Sequence, residues 1–186
     1  MEESWSAEAV EDLSLHILDI AENSLRAGAK RIQINIVRNV ATDLLRIKVK
    51  DDGIGMDSET LASVRNPFFT TKQKKTGLGI PLLAQAAEQA GGNLTIESAP
   101  GKGTEVTITF QWSHIDRPAM GAMEDTLLTL IAGHPELDIF YEECEGSDVF
   151  RLDTAEVKAD LDGVPISDPA VLGSLRSLLK DGLRIH

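Results

Sequence analysis

The tightest constraint lies between Arg31 and Asp51. There "RIQINIV" places Ile32, Ile34 and Ile36 at every second position, and "LLRIKVKD" does the same with Leu45, Ile47 and Val49. A period of two sends alternate side chains to opposite faces of a strand, so each run carries one apolar and one polar face. The polar "RNVATD" between them supplies a turn, and the pair reads as a β-hairpin. A hairpin with one apolar face is unstable alone in water and needs a second layer to cover it.

The flanking segments offer that cover. A helix is expected from about Ser6 to Gly28, closed by a glycine that accepts a left-handed conformation. "DSETLASV" reads as a capped short helix with Glu59 near its start, and "RNPFFTTKQKKTGLG" as a loop. Another helix runs from about Ile80 to Ala90, with Pro81 at its start and Gly91 and Gly92 at its end. "NLTIES" and "TEVTITFQW" are strands joined through "APGKG". This order predicts an α+β fold: a two-layer α/β sandwich with helices on one face of a mixed, largely antiparallel sheet and loops converging at one end.

Composition narrows the function classes. No apolar run reaches the length of a membrane span, and "MEESWSAEAVEDL" lacks the basic start and apolar centre of a signal peptide, so no membrane role and a cytoplasmic location are expected. The single Cys144 excludes an internal disulfide and a multi-cysteine metal site. His16, His114, His134 and His186 are too scattered for a zinc spacing, so a metal here should be a hard cation held by oxygen. Through residue 113 there are 12 basic and 15 acidic residues; beyond it there are 6 and 15. The acidic tail would repel a phosphate backbone, so no nucleic-acid partner is expected, and a basic partner protein or plain solubility suits it equally.

"DIAENSLRAGAKRI" raises a chemical question. Asp19 and Asn23 are four apart and share one helix face, opposite an apolar one. Alone, such a pair is an ordinary solvated face. "GIG" and "GLG" do not compose G-x-G-x-x-G, and no G-x-x-x-x-G-K-[ST] occurs, so the two common nucleotide signatures fail. Taken in order, however, "DIAENSLRAGA", "DDGIGM", "NPFFTTK" with "GLGI", and "GKGT" resemble the N, G1, F, G2 and final glycine boxes of the GHKL (Bergerat-fold) ATP-binding domain. The resemblance covers about Leu13 to Phe110. Within that superfamily "ENSLRAGAKRIQI" is similar to the mismatch-repair ATPase, while "NPFFTTK", "TGLGI" and "GGNLTIESAPGKGTEVTITF" are similar to a histidine kinase of the nitrogen-regulator type and cover more residues.

The resemblance implies ATP and magnesium as ligands. Magnesium keeps waters and phosphate oxygens around it, so one carboxamide is a sufficient protein ligand, and Asn23 takes that place. Arg26, one turn on, should meet phosphate. Asp51 is the implied acceptor for the exocyclic amine of adenine, with Gly53 and Gly55 allowing close backbone approach, Met56 beside them, and the Thr104 hydroxyl helping to hold Asp51 and the base. Asp52 is expected to face solvent. Gly77, Leu78 and Gly79 precede a helix and should offer N–H groups to phosphates. Phe69, Thr71 and Lys72 belong to a short lid, with Lys74 and Lys75 as looser candidates and Phe68 and Phe69 as lid anchors ahead of base stacking.

Departures from the family bear on the reaction. No dimerising hairpin with a phosphoacceptor histidine fits before the first helix, and His16 lacks the H-E-x-R-T-P context, so any acceptor is expected on another molecule. Hydrolysing relatives carry glutamate four residues before the magnesium asparagine; Asp19 stands there, one methylene shorter, and Glu22 is the second choice about 100° around the helix. Slow or absent intrinsic turnover is expected.

From His114 onward a small acidic α/β appendage is expected, giving domains 1–113 and 114–186. "GAMEDTLLTLIAGH" reads as a helix, "LDIFYEE" and "DVFRLD" as a hairpin with Cys144 on its turn, and "DPAVLGSLRSLLKDGL" as a final helix opened by Asp168 and Pro169. The "SHIDRP" join resembles that of small standalone proteins associated with bacterial hydrogenase and redox gene neighbourhoods. Two functions follow. One is an ATP-dependent protein kinase or slow ATPase acting on a partner protein; the other is a nucleotide-gated binding module without significant catalysis, such as an anti-sigma-like or redox-associated regulator. The oligomeric state is left open.

Overall fold

The structure is a computed structural model that describes residues 12–64 and 79–183. In chain order it contains α1 (Leu13–Arg26), β1 (Arg31–Asn39), β2 (Leu44–Asp51), α2 (Ser58–Val64), α3 (Gly79–Gln89), β3 (Asn93–Ser98), β4 (Thr104–Gln111), α4 (Met123–Gly133), β5 (Asp138–Glu145), β6 (Asp148–Asp153), α5 (Thr154–Asp160) and α6 (Pro169–Leu183). The strands form one mixed six-stranded sheet ordered β3-β4-β2-β1-β5-β6. All neighbours are antiparallel except β1 and β5, which are parallel. That parallel pair requires a crossover, and the connection from β4 through α4 supplies it.

The alternation read from the sequence is the one that packs. Ile34 lies opposite Val49 and Ile36 opposite Ile47, and all four are buried with Ile32, Leu45, Val106, Ile108 and Phe110. Leu13, Ile17, Ile20 and Ala21 of α1, Leu83 and Ala87 of α3, and Leu127 and Ile131 of α4 belong to the same core. The C-terminal hairpin adds Ile139 and Tyr141 to it, so the region beyond residue 113 shares the sheet and the core of the region before it.

Three features bear on the sequence reading, and residues 6–11, where the first helix is expected to begin, lie outside the described residues. Helix α1 begins at Leu13, because the Asp12 side chain accepts the Leu15 N–H at 3.0 Å and caps it there. The carbonyls of Ala119 and Met120 accept the N–H groups of Leu13 and Ser14 at 2.9 Å, so the join after β4 closes the same helix end. The seven-residue α5, capped by Asp153 onto Ala155, was not expected at all. Cys144 lies inside β5, not on the turn; burial first, then Glu142, pushes its thiol pKa up. His16 is buried within α1. At the other end of the sheet, the guanidinium carbons of Arg38 and Arg117 lie 4.2 and 4.1 Å from the Trp112 ring centroid and tie the join to the sheet.

Candidate functional site

The inward column Leu45, Ile47, Val49 continues one step further to Asp51, so the same alternation that builds the core turns a carboxylate inward at the sheet end. Its relative exposure is 7%. Burial of such a group demands partners, and three donors supply them. Oδ1 accepts the N–H of Gly53 at 2.9 Å and of Thr104 at 3.1 Å; Oδ2 accepts the Ser24 hydroxyl at 2.6 Å. Helix α1, the loop after β2 and the start of β4 therefore meet on one carboxylate.

Glycines make the close approach possible. A side chain on Gly53 would press on Ala27 and Asp51, and one on Gly55 (φ +67°) would strike the backbone of Ala99. Gly103 (φ +74°) packs against the Asp51 carbonyl. The Ala27 carbonyl accepts the Ile54 N–H at 3.0 Å, which pins this loop to the end of α1. Met56, half-buried, donates its N–H to the Ser98 hydroxyl at 2.8 Å, and Ser98 also contacts the Thr104 hydroxyl at 2.9 Å. Thr104 thus holds Asp51 through its backbone N–H, and its hydroxyl engages that of Ser98, the last residue of β3 and its direct partner across the strand pair, in place of the expected hydroxyl contact with Asp51. Asp52 is exposed as expected, yet its Oδ1 accepts the N–H groups of Lys30 and Arg31 at 2.7 and 2.9 Å and fixes the entry to β1.

On α1, Asp19 is half-buried and Glu22, Asn23 and Arg26 are exposed. The Arg26 Nε donates to the Glu22 carbonyl at 3.2 Å, along its own helix. The Asp19 carboxylate lies directly against Gly79, the first residue of α3, where any Cβ would collide with it. The structure therefore brings Asp19 and Gly79 together, and Asp51, Gly53, Gly55, Met56 and Thr104 together, with α1 common to both groups. Phe68, Phe69, Thr71, Lys72, Lys74, Lys75, Gly77 and Leu78 lie outside the described residues.

Residues 9–114 match the family described as histidine kinase-, DNA gyrase B-, and HSP90-like ATPase. The chain belongs to this family. Among curated relatives, the chain is 36% identical to "Sensor histidine kinase ZraS" of Klebsiella oxytoca over 92 residues, covering 49% of the chain and 20% of that protein. It is 37% identical over 87 residues to "Sporulation kinase C" of Bacillus subtilis (47% and 20% covered). With "Sensor protein kinase FleS" of Pseudomonas aeruginosa it shares 38% identity over 92 residues (50% and 23% covered). The chain spans about a fifth of the length of these relatives. No helix among the described residues is long and apolar enough to cross a membrane.

Ser24 and Ser98 were missed from sequence. Ser24 follows Ile17, Ile20 and Ala21 on the buried side of α1, and a hydroxyl on an apolar stripe signals a polar partner across the interface. Ser98 continues the inward parity of Ile96 and carried the same signal.

Proposed function

We propose that the chain binds Mg-ATP at the sheet end built around Asp51 and uses it to act on a partner protein, by transferring the γ-phosphoryl group or by slow hydrolysis that sets the partner's state. The observation that carries this reading is the Asp51 carboxylate, held by three donors at a glycine-lined loop in a member of an ATPase family. Asp51 accepts the adenine amine, and Gly53, Gly55, Met56 and Thr104 form the wall beside the base. Asn23 holds magnesium, which screens the phosphate charge when bound. Arg26 meets phosphate, as do the N–H groups of Gly77, Leu78 and Gly79 and the lid residues Phe69, Thr71 and Lys72. Asp19, or Glu22 as second choice, orients the attacking group. The role is cytoplasmic, without nucleic acid.

The packing of Asp19 against Gly79 favours a second reading. A short carboxylate pressed on the start of α3 is well placed to report on a nucleotide and poorly placed to activate water, as in a nucleotide-gated module of the anti-sigma-like or redox-associated kind. Incubation with γ-labelled ATP, magnesium and a lysate of the source organism separates the two. Label on a partner that vanishes with Asn23→Ala supports transfer; nucleotide-dependent co-purification without label supports the module.

A further inference from the structure

We propose that the groove between α5 and α6 docks a basic amphipathic helix of a partner protein, which seats apolar side chains between the two helices and sets lysine or arginine against an acidic rim. The inference concerns a surface beyond residue 113 and does not rest on nucleotide binding.

Helix α6 carries more apolar surface than the core takes up. Leu175 and Leu179 are buried, and Arg176 donates to Asp125 of α4 at 2.9 Å, so one side of the helix is committed to α4. Val171, Leu175 and Leu178 follow at steps of four and three and form a second stripe. On α5, Val157 and Leu161 lie one turn apart and make the facing wall. Between these walls is a groove of about 480 Å³, and Leu178 is still 48% exposed in it. An apolar cleft left open in this way marks an interaction site.

Chemistry, shape and charge select the occupant. Ser174 is the polar side chain of the lining among the described residues, and its hydroxyl donates to the Ala170 carbonyl of its own helix at 3.0 Å. The groove therefore lacks the convergent polar groups that orient a small molecule. Two helix-borne stripes instead suit a third helix, whose apolar side chains recur at three- and four-residue steps. Exposed acids border the stripes. Asp160 lies three positions after Val157 and Asp181 three after Leu178, so helical spacing sets each beside the groove, and Glu156 is one turn from Asp160. The bases lie elsewhere: Lys158 Nζ is 2.8 Å from Asp138 on β5, and Lys180 is one turn beyond Arg176 on the α4 side. A second copy of this chain would bring the same acidic rim and a net charge of -12 against it, which disfavours self-association.

Fluorescence anisotropy on the full chain tests this with labelled peptides about five turns long. The probes are a leucine–lysine helix with one apolar stripe, the same helix with glutamate for lysine, and a scrambled leucine–lysine sequence of equal charge and no stripe. The first should bind at least about tenfold more tightly than either control. Leu178→Gln leaves the charge unchanged and should weaken that binding about fivefold. Asp160→Asn combined with Asp181→Asn should weaken it as well and flatten its salt dependence. All three positions are exposed, so the variants should keep the wild-type circular dichroism spectrum. Failure of the first peptide to bind, equal binding of either control, or binding untouched by Leu178→Gln overturns the proposal. So does a concentration-dependent dimer in sedimentation that Leu178→Gln abolishes, because a second copy then fills the groove.

Discussion

A buried carboxylate at the end of a hydrophobic column is the residue on which this site turns. Asp51 stays inside because Gly53, Thr104 and Ser24 each give it a hydrogen, and because Gly103 lets the β3–β4 turn lie on its backbone. Gly103→Ala adds a Cβ that meets the Asp51 carbonyl and forces a non-glycine residue to φ +74°. Together, the strain and overpacking should cost about 2–4 kcal/mol in urea denaturation. A loss below about 0.5 kcal/mol, the scale of an ordinary surface change, would show that the turn gives way freely. The glycines and Asp51 were legible in the sequence because they sit in contiguous motifs with a shared backbone purpose. Ser24 and Ser98 were not, since Asp51 lies 27 positions from Ser24 and Met56 lies 42 from Ser98, and these pairings arise only when helix α1 and the loop after β2 pack against the sheet end.

Among the elements, α1 carries both core and site, and its start is secured twice. Asp12 caps Leu15, and the carbonyls of Ala119 and Met120 take the preceding N–H groups. Asp12→Ala should therefore cost about 1 kcal/mol and lower the melting temperature modestly, since the second set of partners remains. Loss of the entire α1 helical signal in circular dichroism would mean that Asp12 alone holds it. The strands and α3, α4 and α6 were readable because each has strong periodicity or a proline and glycine boundary. Helix α5 was not: seven residues give too few turns for a period to register, and its signal reduces to the cap at Asp153. Helix α1 starts at Leu13 because Asp12 caps it by side-chain chemistry, a signal weaker in sequence than apolar spacing; the start expected near Ser6 lies outside the described residues.

At the scale of the whole molecule, the C-terminal region completes the sheet. Strand β5 pairs with β1 along eight register positions from Arg31 to Arg38, and Ile139, Tyr141, Leu127 and Leu179 enter the common core. From sequence, the charge break at residue 113 drew attention to a boundary, but charge reports surface and says nothing of which strand edge a later segment will cover. A chain ending at residue 113 would leave β1 as an unpaired edge over an uncovered apolar face. It should lose its cooperative melt and associate during size-exclusion chromatography; a monomeric fragment with a sharp transition would contradict the shared core. The site at the opposite edge of β1 depends on that same strand for the register that turns Asp51 inward. The most direct measurement is calorimetry of the full chain with Mg-ATP, beside Asp51→Ala. Saturable binding at one site that weakens at least about tenfold in the variant is the predicted result. No heat from a folded wild type, or equal affinity in the variant, would contradict the account.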